Sequence, residues 1–106
     1  MAFPKAVEMF DLATTEKEKW KDKVRVEEKN RVIIGIYDSA KYGNIFYEYY
    51  PDITVAESDL HRNWLDEICY EFEEELDQQG YRLSIMYTLS GHVESIMIDW
   101  ELKEDN

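Results

Sequence analysis

Apolar and polar residues alternate over the last quarter of the chain. Between Tyr81 and Leu89 every second residue is apolar, and a second alternating run, HVESIMIDWEL, follows Ser90 and Gly91. This period of two, interrupted by a tight turn, predicts a β-hairpin with one apolar face. The residues of that face are Tyr81, Leu83, Ile85, Tyr87, Leu89, Ile96, Ile98, Trp100 and Leu102.

A helical pattern precedes this hairpin. Ser58 or Asp59 can cap its start, and Gly80 can end it. Its apolar residues recur at spacings that place them on one face of about 180°. The residues of this face are Leu60, Trp64, Leu65, Ile68, Cys69, Phe72 and Leu76. The pattern predicts one long amphipathic helix.

Two further runs predict another hairpin. Residues 31–38 are rich in β-branched residues and apolar on both sides, which favours a buried strand. The connection that follows contains Gly43 and Asn44, which suit a turn. Residues 45–50, IFYEYY, then alternate as a second strand.

The first 23 residues fit more than one description. Pro4 can begin a helix from about Lys5, whose apolar set would be Val7, Met9, Phe10 and Leu12. Thr14 or Thr15 can also cap a separate, turn-rich stretch, EKEKWKDK. Residues 24–26 alternate as a short strand.

This order of elements predicts an α+β fold. A mainly antiparallel sheet of two hairpins would pack against the long acidic helix and an N-terminal helical segment. The length favours one domain, residues 1–106. The longest apolar run, residues 32–37, is far shorter than the ~20 residues of a membrane span. The single cysteine, Cys69, and the absence of a secretory signal predict a cytoplasmic protein without a disulfide.

Charge is large and unevenly distributed. The net charge is −12. Residues 1–31 hold eight bases and seven acids, residues 57–79 nine acids and one base, and residues 94–106 five acids and one base. This balance argues against direct contact with nucleic acid or an anionic membrane, because both need Lys and Arg. It favours a basic protein partner.

No catalytic or metal-binding pattern is present in the sequence. Cys69 falls on the apolar helix face, where a thiol is ordinarily structural. His61 and His92 have no second histidine at ligand spacing. We expect His61 to be partly buried and His92 to meet water. The four glycines are scattered, so they form no phosphate loop. We therefore expect no enzyme activity and no cofactor.

The acids of the long helix are candidates for binding a partner. Like charges four residues apart, and acids near a helix C-terminus, each destabilise a helix slightly. The helix has few bases to offset them, so the sequence favours a working surface over a solvated face, which remains the alternative. The predicted cluster is Asp66, Tyr70, Glu73 and Asp77, flanked by Asn63, Glu67 and Glu74. A second candidate group is Asp99, Glu101, Glu104 and Asp105, and the tyrosines 47, 49 and 50 are further candidates.

From about Trp20 onward the chain resembles the YezG-type immunity proteins of bacterial polymorphic toxin systems. The segments that carry the resemblance are IFYEYYPDI, LHRNWLDEICYEFEEELDQQG and YRLSIMYTLSGHVESIMIDWEL. In that family a tyrosine-rich hairpin, an acidic helix and a hairpin with a glycine turn follow in this order. The immunity proteins of contact-dependent inhibition systems fit equally well.

The resemblance implies an antitoxin that binds one cognate toxin domain, often a nuclease, and performs no chemistry. Composition and charge alone leave two alternatives. One is a nucleic-acid mimic that inhibits a DNA- or RNA-binding protein. The other is a small structural or adaptor protein whose acidic helix is only solvated.

Overall fold

The computed structural model of the chain describes residues 2–102. Its helices and strands form an α+β fold, which confirms the predicted class. The elements are helix α1 (Ala6–Lys41), strand β1 (Phe46–Tyr49), a short 3₁₀ turn (Ile53–Val55), helix α2 (Asp59–Gln78), strand β2 (Arg82–Tyr87) and strand β3 (Val93–Asp99). No helix within residues 2–102 is both long and apolar enough to cross a membrane.

Helix α1 replaces two predicted strands. The predictions of a strand over residues 31–38 and of another over residues 24–26 are wrong, since both stretches are helical. The reason is that α1 contacts the rest of the molecule at every fourth residue, which is a helical period. These residues are Trp20, Val24, Glu28, Val32 and Ile36. Tertiary contact here outweighs the low helix propensity of β-branched residues.

The start of α1 agrees with one of the two descriptions given by the sequence. The helix begins after Lys5, as the position of Pro4 predicted. Thr14 and Thr15 are not caps, because their hydroxyl groups donate to the carbonyls of Phe10 and Asp11 at 2.9 Å within the helix. The sequence therefore forms one continuous helix through the stretch that was predicted to break.

The sheet has three antiparallel strands in the order β1-β3-β2. The hairpin of β2 and β3 is confirmed, and residues 46–49 form the predicted strand. The first predicted hairpin is wrong, because β1 pairs with β3 instead of residues 31–38. Register places six side chains on the face toward the helices: Tyr47, Tyr49, Leu83, Ile85, Ile96 and Ile98.

Helix α2 has the predicted caps. The Ser58 hydroxyl accepts a hydrogen bond from the His61 amide at 3.1 Å, and Gly80 follows the last turn with a φ of +93°. The predicted apolar face packs on the core from Leu65 onward, whereas Leu60 is 55% exposed in the first turn and Trp64 contacts the rings of Trp20 and His61 beside the core. The buried residues of α2 are Leu65, Ile68, Cys69 and Phe72.

A buried carboxylate joins α1 to the segment around β1. Glu28 is 2% exposed, and its Oε1 accepts hydrogen bonds from the Tyr49 hydroxyl at 2.8 Å and the Asp52 amide at 2.7 Å. Arg31 Nη1 pairs with the same oxygen at 2.6 Å, which raises the pKa of Arg31. Burial raises the pKa of Tyr49, so its hydroxyl remains a donor.

A glycine brings α1 close to the sheet. A Cβ atom added at Gly35 would lie 2.1 Å from Cζ of Tyr47. Glycine costs about 1 kcal/mol in a helix interior relative to alanine. Here it leaves room for the tyrosine ring to lie against the helix backbone, so the contact requires glycine.

Candidate partner-binding site on the acidic helix

Three of the eight acids of α2 form ion pairs with α1. Every fourth residue of α1 from Lys17 to Lys29 is basic, and every fourth residue of α2 from Glu67 to Glu75 is acidic. The two rows face each other and form an ion-pair ladder. Its pairs are Lys17–Glu67 (3.3 Å), Lys21–Glu67 (3.5 Å), Lys21–Glu71 (3.3 Å), Arg25–Glu71 (2.8 Å) and Lys29–Glu75 (3.1 Å). The expectation that the acids of the helix lack compensation is wrong for this row, because the bases come from another helix.

The strongest pair of the ladder is Arg25 with Glu71. Arg25 donates from Nε at 2.8 Å and from Nη2 at 3.2 Å to the two oxygens of Glu71. Burial alone would raise the pKa of Glu71, but hydrogen bonds from Arg25 and Lys21, and their charges, lower it overall. The hydrogen bond with Glu71 raises the pKa of Arg25. This bidentate geometry is the strong form of a carboxylate–guanidinium pair.

Asp66 belongs to the packing of the molecule and not to an exposed cluster. One oxygen accepts from the Val93 amide at 3.0 Å and pairs with Arg62 at 2.8 Å, and the other lies 2.7 Å from Nδ1 of His92. The expectation that Asp66 lies beside Tyr70 in an exposed ring is therefore wrong. His92, expected to meet water, is half-buried for the same reason.

Three acids in the C-terminal half of α2 take no part in the ladder. Glu73, Glu74 and Asp77 surround a surface hollow of about 390 Å³ with Leu83 of β2 at its base. No lysine or arginine among residues 2–102 lies within ion-pairing distance of these three carboxylates. We call Glu73, Glu74 and Asp77 the acidic patch. All three were predicted as site residues from the sequence.

Two exposed tyrosines, one on α2 and one on β2, contact each other through their hydroxyl groups. Tyr70 and Tyr87 are exposed, and their hydroxyl oxygens are 3.2 Å apart. This hydrogen bond raises the pKa of Tyr70 to about 12. Asn63, predicted at the edge of the site, is exposed and lies two helical turns before Tyr70. Glu67, predicted at the opposite edge, is engaged by the ladder instead.

Tyr87 and Leu83 belong to this surface but were assigned to the buried face of the sheet. Tyr87 lies on the helix side of the sheet, because its hydroxyl contacts Tyr70 of α2, but it ends the edge strand beside a register irregularity and is 50% exposed. Leu83 also points toward the helices and lies on the edge strand, where part of its side chain meets the hollow.

The C-terminal acids lie on a different surface from the acidic patch. Asp99 shares the open face of the sheet with Arg82, its partner in register, at 3.5 Å, and Glu101 lies 3.9 Å from the same arginine. The helices cover the opposite face, so the structure does not bring these two acids together with the acidic patch. Glu104 and Asp105, which were predicted with them, lie outside the described residues.

The remaining candidates are distributed between core and surface. Tyr49 is fully buried, Tyr47 is half-buried against Gly35, and Tyr50 is exposed. Burial raises the pKa of Cys69 to about 12, so its thiol stays protonated at neutral pH. His61 is partly buried, as predicted, with its ring stacked on Trp20 at 4.7 Å. Within residues 2–102 no three His, Cys, Asp or Glu side chains come together as a metal site.

Comparisons with protein families, curated proteins and solved structures gave no match to this chain.

Proposed function

We propose that this chain is an immunity protein, an antitoxin that binds a cognate basic toxin domain through the acidic patch and blocks it. The observation that supports the proposal is the division of the acids of α2. Glu67, Glu71 and Glu75 are neutralised within the molecule, whereas the acidic patch is not. Unpaired carboxylates beside exposed tyrosines are suited to bind lysine and arginine.

The patch offers three kinds of contact to such a partner. Its carboxylates accept charge-assisted hydrogen bonds from an ammonium or guanidinium group. Leu83 gives the hollow an apolar base, against which the aliphatic stem of a lysine or arginine can pack. Tyr70 and Tyr87 offer rigid contact area at the rim. The net charge of −12 accelerates the encounter with a basic surface.

The resemblance to YezG-type immunity proteins suggests a nuclease as the toxin. The tyrosine-rich segment of this chain is one strand rather than a hairpin, so the resemblance rests on the acidic helix and the second hairpin. The proposal includes a cytoplasmic location, where a lone cysteine such as Cys69 stays reduced. It assigns no chemistry to the chain itself.

Capture followed by growth rescue tests the proposal. Proteins retained from the source lysate by the wild-type chain are identified, and each is expressed in a bacterial host with and without this chain. We expect one basic protein to inhibit growth and the wild-type chain to relieve the inhibition. The double variant Glu73→Lys, Asp77→Lys should relieve it poorly, because two contacts become repulsive.

A matched control is the double variant Glu18→Lys, Glu94→Lys. Both of these acids are exposed and lie away from the acidic patch, and the change in net charge is the same. The control should rescue growth like the wild type. If no captured protein inhibits growth, the antitoxin role is wrong. If DNA releases several unrelated captured proteins, the mimic is the better description, and if both variants rescue equally, the acidic patch is not the binding site.

A further inference from the structure

The first part of α1 projects from the molecule as an arm. Residues 2–16 are exposed throughout, and the first contacts of α1 with α2 are made by Lys17 and Trp20. The molecule is accordingly 71 Å long but only 27 Å and 25 Å across. The 11 helical residues before Lys17 account for about 16 Å of this length at 1.5 Å per residue. We call residues 2–16 the arm.

One face of the arm continues the apolar stripe by which α1 joins the core. At 100° per residue, Ala6, Phe10 and Ala13 lie in line with Trp20 and Val24. Trp20 and Val24 pack in the core, whereas Phe10 is 71% exposed. The apolar stripe therefore continues along the arm beyond the packed part of the molecule, and no described residue covers it there.

This face carries no charge. Its helical residues are Ala6, Val7, Met9, Phe10, Ala13 and Thr14, and the apolar residues Ala2 and Phe3 precede the helix. The charged residues Glu8 and Asp11 lie on the other side of the helix, as helical spacing requires. Elsewhere the net charge of −12 opposes the approach of a second copy, but this face does not.

We propose that two copies of this chain pair through their arms in antiparallel orientation. The helical part of the stripe alternates small and large residues at the heptad spacings of four and three: Ala6, Phe10, Ala13. Antiparallel pairing lays Phe10 of each copy over Ala6 of the other, and Phe3, which precedes the helix, adds apolar area beyond this contact. Parallel pairing would place phenylalanine on phenylalanine and alanine on alanine, which leaves clashes and gaps.

The arms can meet in this way without collision of the two bodies. With Phe10 over Ala6, the first helical residue of one arm lies beside Phe10 of the other, seven residues before the first contact with α2 at Lys17. The bodies then lie at opposite ends of the paired arms. The two-fold arrangement uses the same surface on both copies, so it closes at a dimer.

The available area predicts a weak dimer. Phe3 and Phe10 offer roughly 150–200 Å² each. Together with Val7 and Met9 the face amounts to on the order of 500 Å² per copy, or about 1,000 Å² for the pair, the lower limit of a specific interface. We expect a dissociation constant on the order of 10–100 µM.

Sedimentation equilibrium over a range of concentrations tests the dimer with two matched variants. Phe10→Glu places a charge in the stripe and should leave the protein monomeric at all concentrations. Leu12→Glu makes the same kind of change at an apolar residue that is 53% exposed but lies off the stripe. It should dimerise like the wild type. A wild-type protein that stays monomeric at 1 mM, roughly ten times the weakest expected constant, would overturn the proposal. Equal behaviour of the two variants would also overturn it.

Orientation is tested by spin labels on the variant Thr14→Cys, at the edge of the face, since Cys69 is buried and does not compete for the label. Antiparallel arms with Phe10 over Ala6 place the two labels about 18 Å apart along the axis, at 1.5 Å per residue. Parallel arms would place them at the same height, at roughly the 10 Å between neighbouring helix axes. A short distance would contradict the antiparallel arrangement.

Discussion

A single buried carboxylate holds three parts of the molecule in register. Glu28 accepts hydrogen bonds from Tyr49 and Asp52 and pairs with Arg31. The side chain is ionisable and lies in the core, which is costly unless its partners are in place. Glu28 therefore stabilises the fold only when all of its hydrogen-bonding and charged partners are in place.

Replacing this residue should reveal that dependence. Glu28→Gln keeps the shape but removes the charge that pairs with Arg31, which then retains only its hydrogen bond to the carbonyl of Tyr50. We expect the free energy of unfolding to fall by about 1–3 kcal/mol. Urea unfolding measures the change, with the exposed neighbour Glu27→Gln as control. Equal stability of the two variants would show that the network does not contribute.

The contact between Gly35 and Tyr47 predicts that replacing this helical glycine with alanine lowers stability, whereas the same replacement ordinarily raises it. Glycine to alanine at an exposed helical position raises stability by about 1 kcal/mol. Gly35→Ala should instead lower it by about 1–3 kcal/mol, because the new methyl group meets the tyrosine ring. The second substitution Tyr47→Leu should recover part of the loss. A raised melting temperature for Gly35→Ala alone would contradict the close approach.

Individual residues also mark the limit of sequence reasoning. Neither Glu28 nor Gly35 was recognised, because Gly35 lies within the predicted strand of residues 31–38 and Glu28 lies in the polar stretch between two predicted strands. Short apolar runs are ambiguous between strand and helix. Only the partner elements decide between them, and here Tyr47 and Tyr49 of β1 pack on a helix.

At the scale of elements, the ion-pair ladder explains why the charge of the sequence is segregated. Residues 1–31 hold more bases than acids, and residues 57–79 are strongly acidic. Part of this asymmetry is the match between α1 and α2, which run side by side in the same direction. The sequence pattern indicated a basic partner, and for the ladder that partner is the chain itself.

The ladder makes stability depend on pH. The folded pKa of Glu71 is lowered from 4.5, so its contribution is present above the unfolded value and is lost as pH falls through the folded value. Arg25→Gln should cost about 0.5–1 kcal/mol at pH 7, a modest amount because the pair is partly exposed. The difference should shrink as pH falls through the folded pKa of Glu71 and vanish at an acidic pH where Glu71 is protonated in both proteins.

Urea unfolding at the two pH values measures this effect, and an NMR titration follows Glu71 directly. The titration of Glu71 should move to higher pH in Arg25→Gln. The control is Lys19→Gln, whose exposed pair with Glu16 at 3.6 Å lies within α1. A pH-independent difference between wild type and Arg25→Gln would show that the pair does not couple the two helices.

Element-level prediction succeeded where the pattern was long and bounded. The α2 helix, with Ser58 and Gly80 at its ends, and the hairpin of β2 and β3 follow the sequence closely. The site was predicted in part, because helical spacing gives the face of a residue but not what covers that face. Asp66 and Glu67 lie near the predicted face, yet β3 and α1 engage them.

At the scale of the whole molecule, some of the acids pair with bases within the fold and others remain exposed on the surface. The ladder and the Asp66 network neutralise much of α2 inside the fold. The acidic patch keeps its charge at the edge of the sheet, and the arm offers an uncharged apolar face at the far end of α1. The proposed toxin contact and the proposed dimer contact therefore use separate surfaces, and each can be removed without the other.

The most direct test of the central claim is the affinity for the captured basic partner, measured by calorimetry at one ionic strength. The wild type, Glu73→Lys with Asp77→Lys, and the control Glu18→Lys with Glu94→Lys are compared after unfolding curves confirm that all are folded. We predict at least a tenfold loss for the patch variant, about 1.4 kcal/mol, and a much smaller change for the control. Equal affinities for the two variants would contradict the account, because net charge and not the acidic patch would then determine binding.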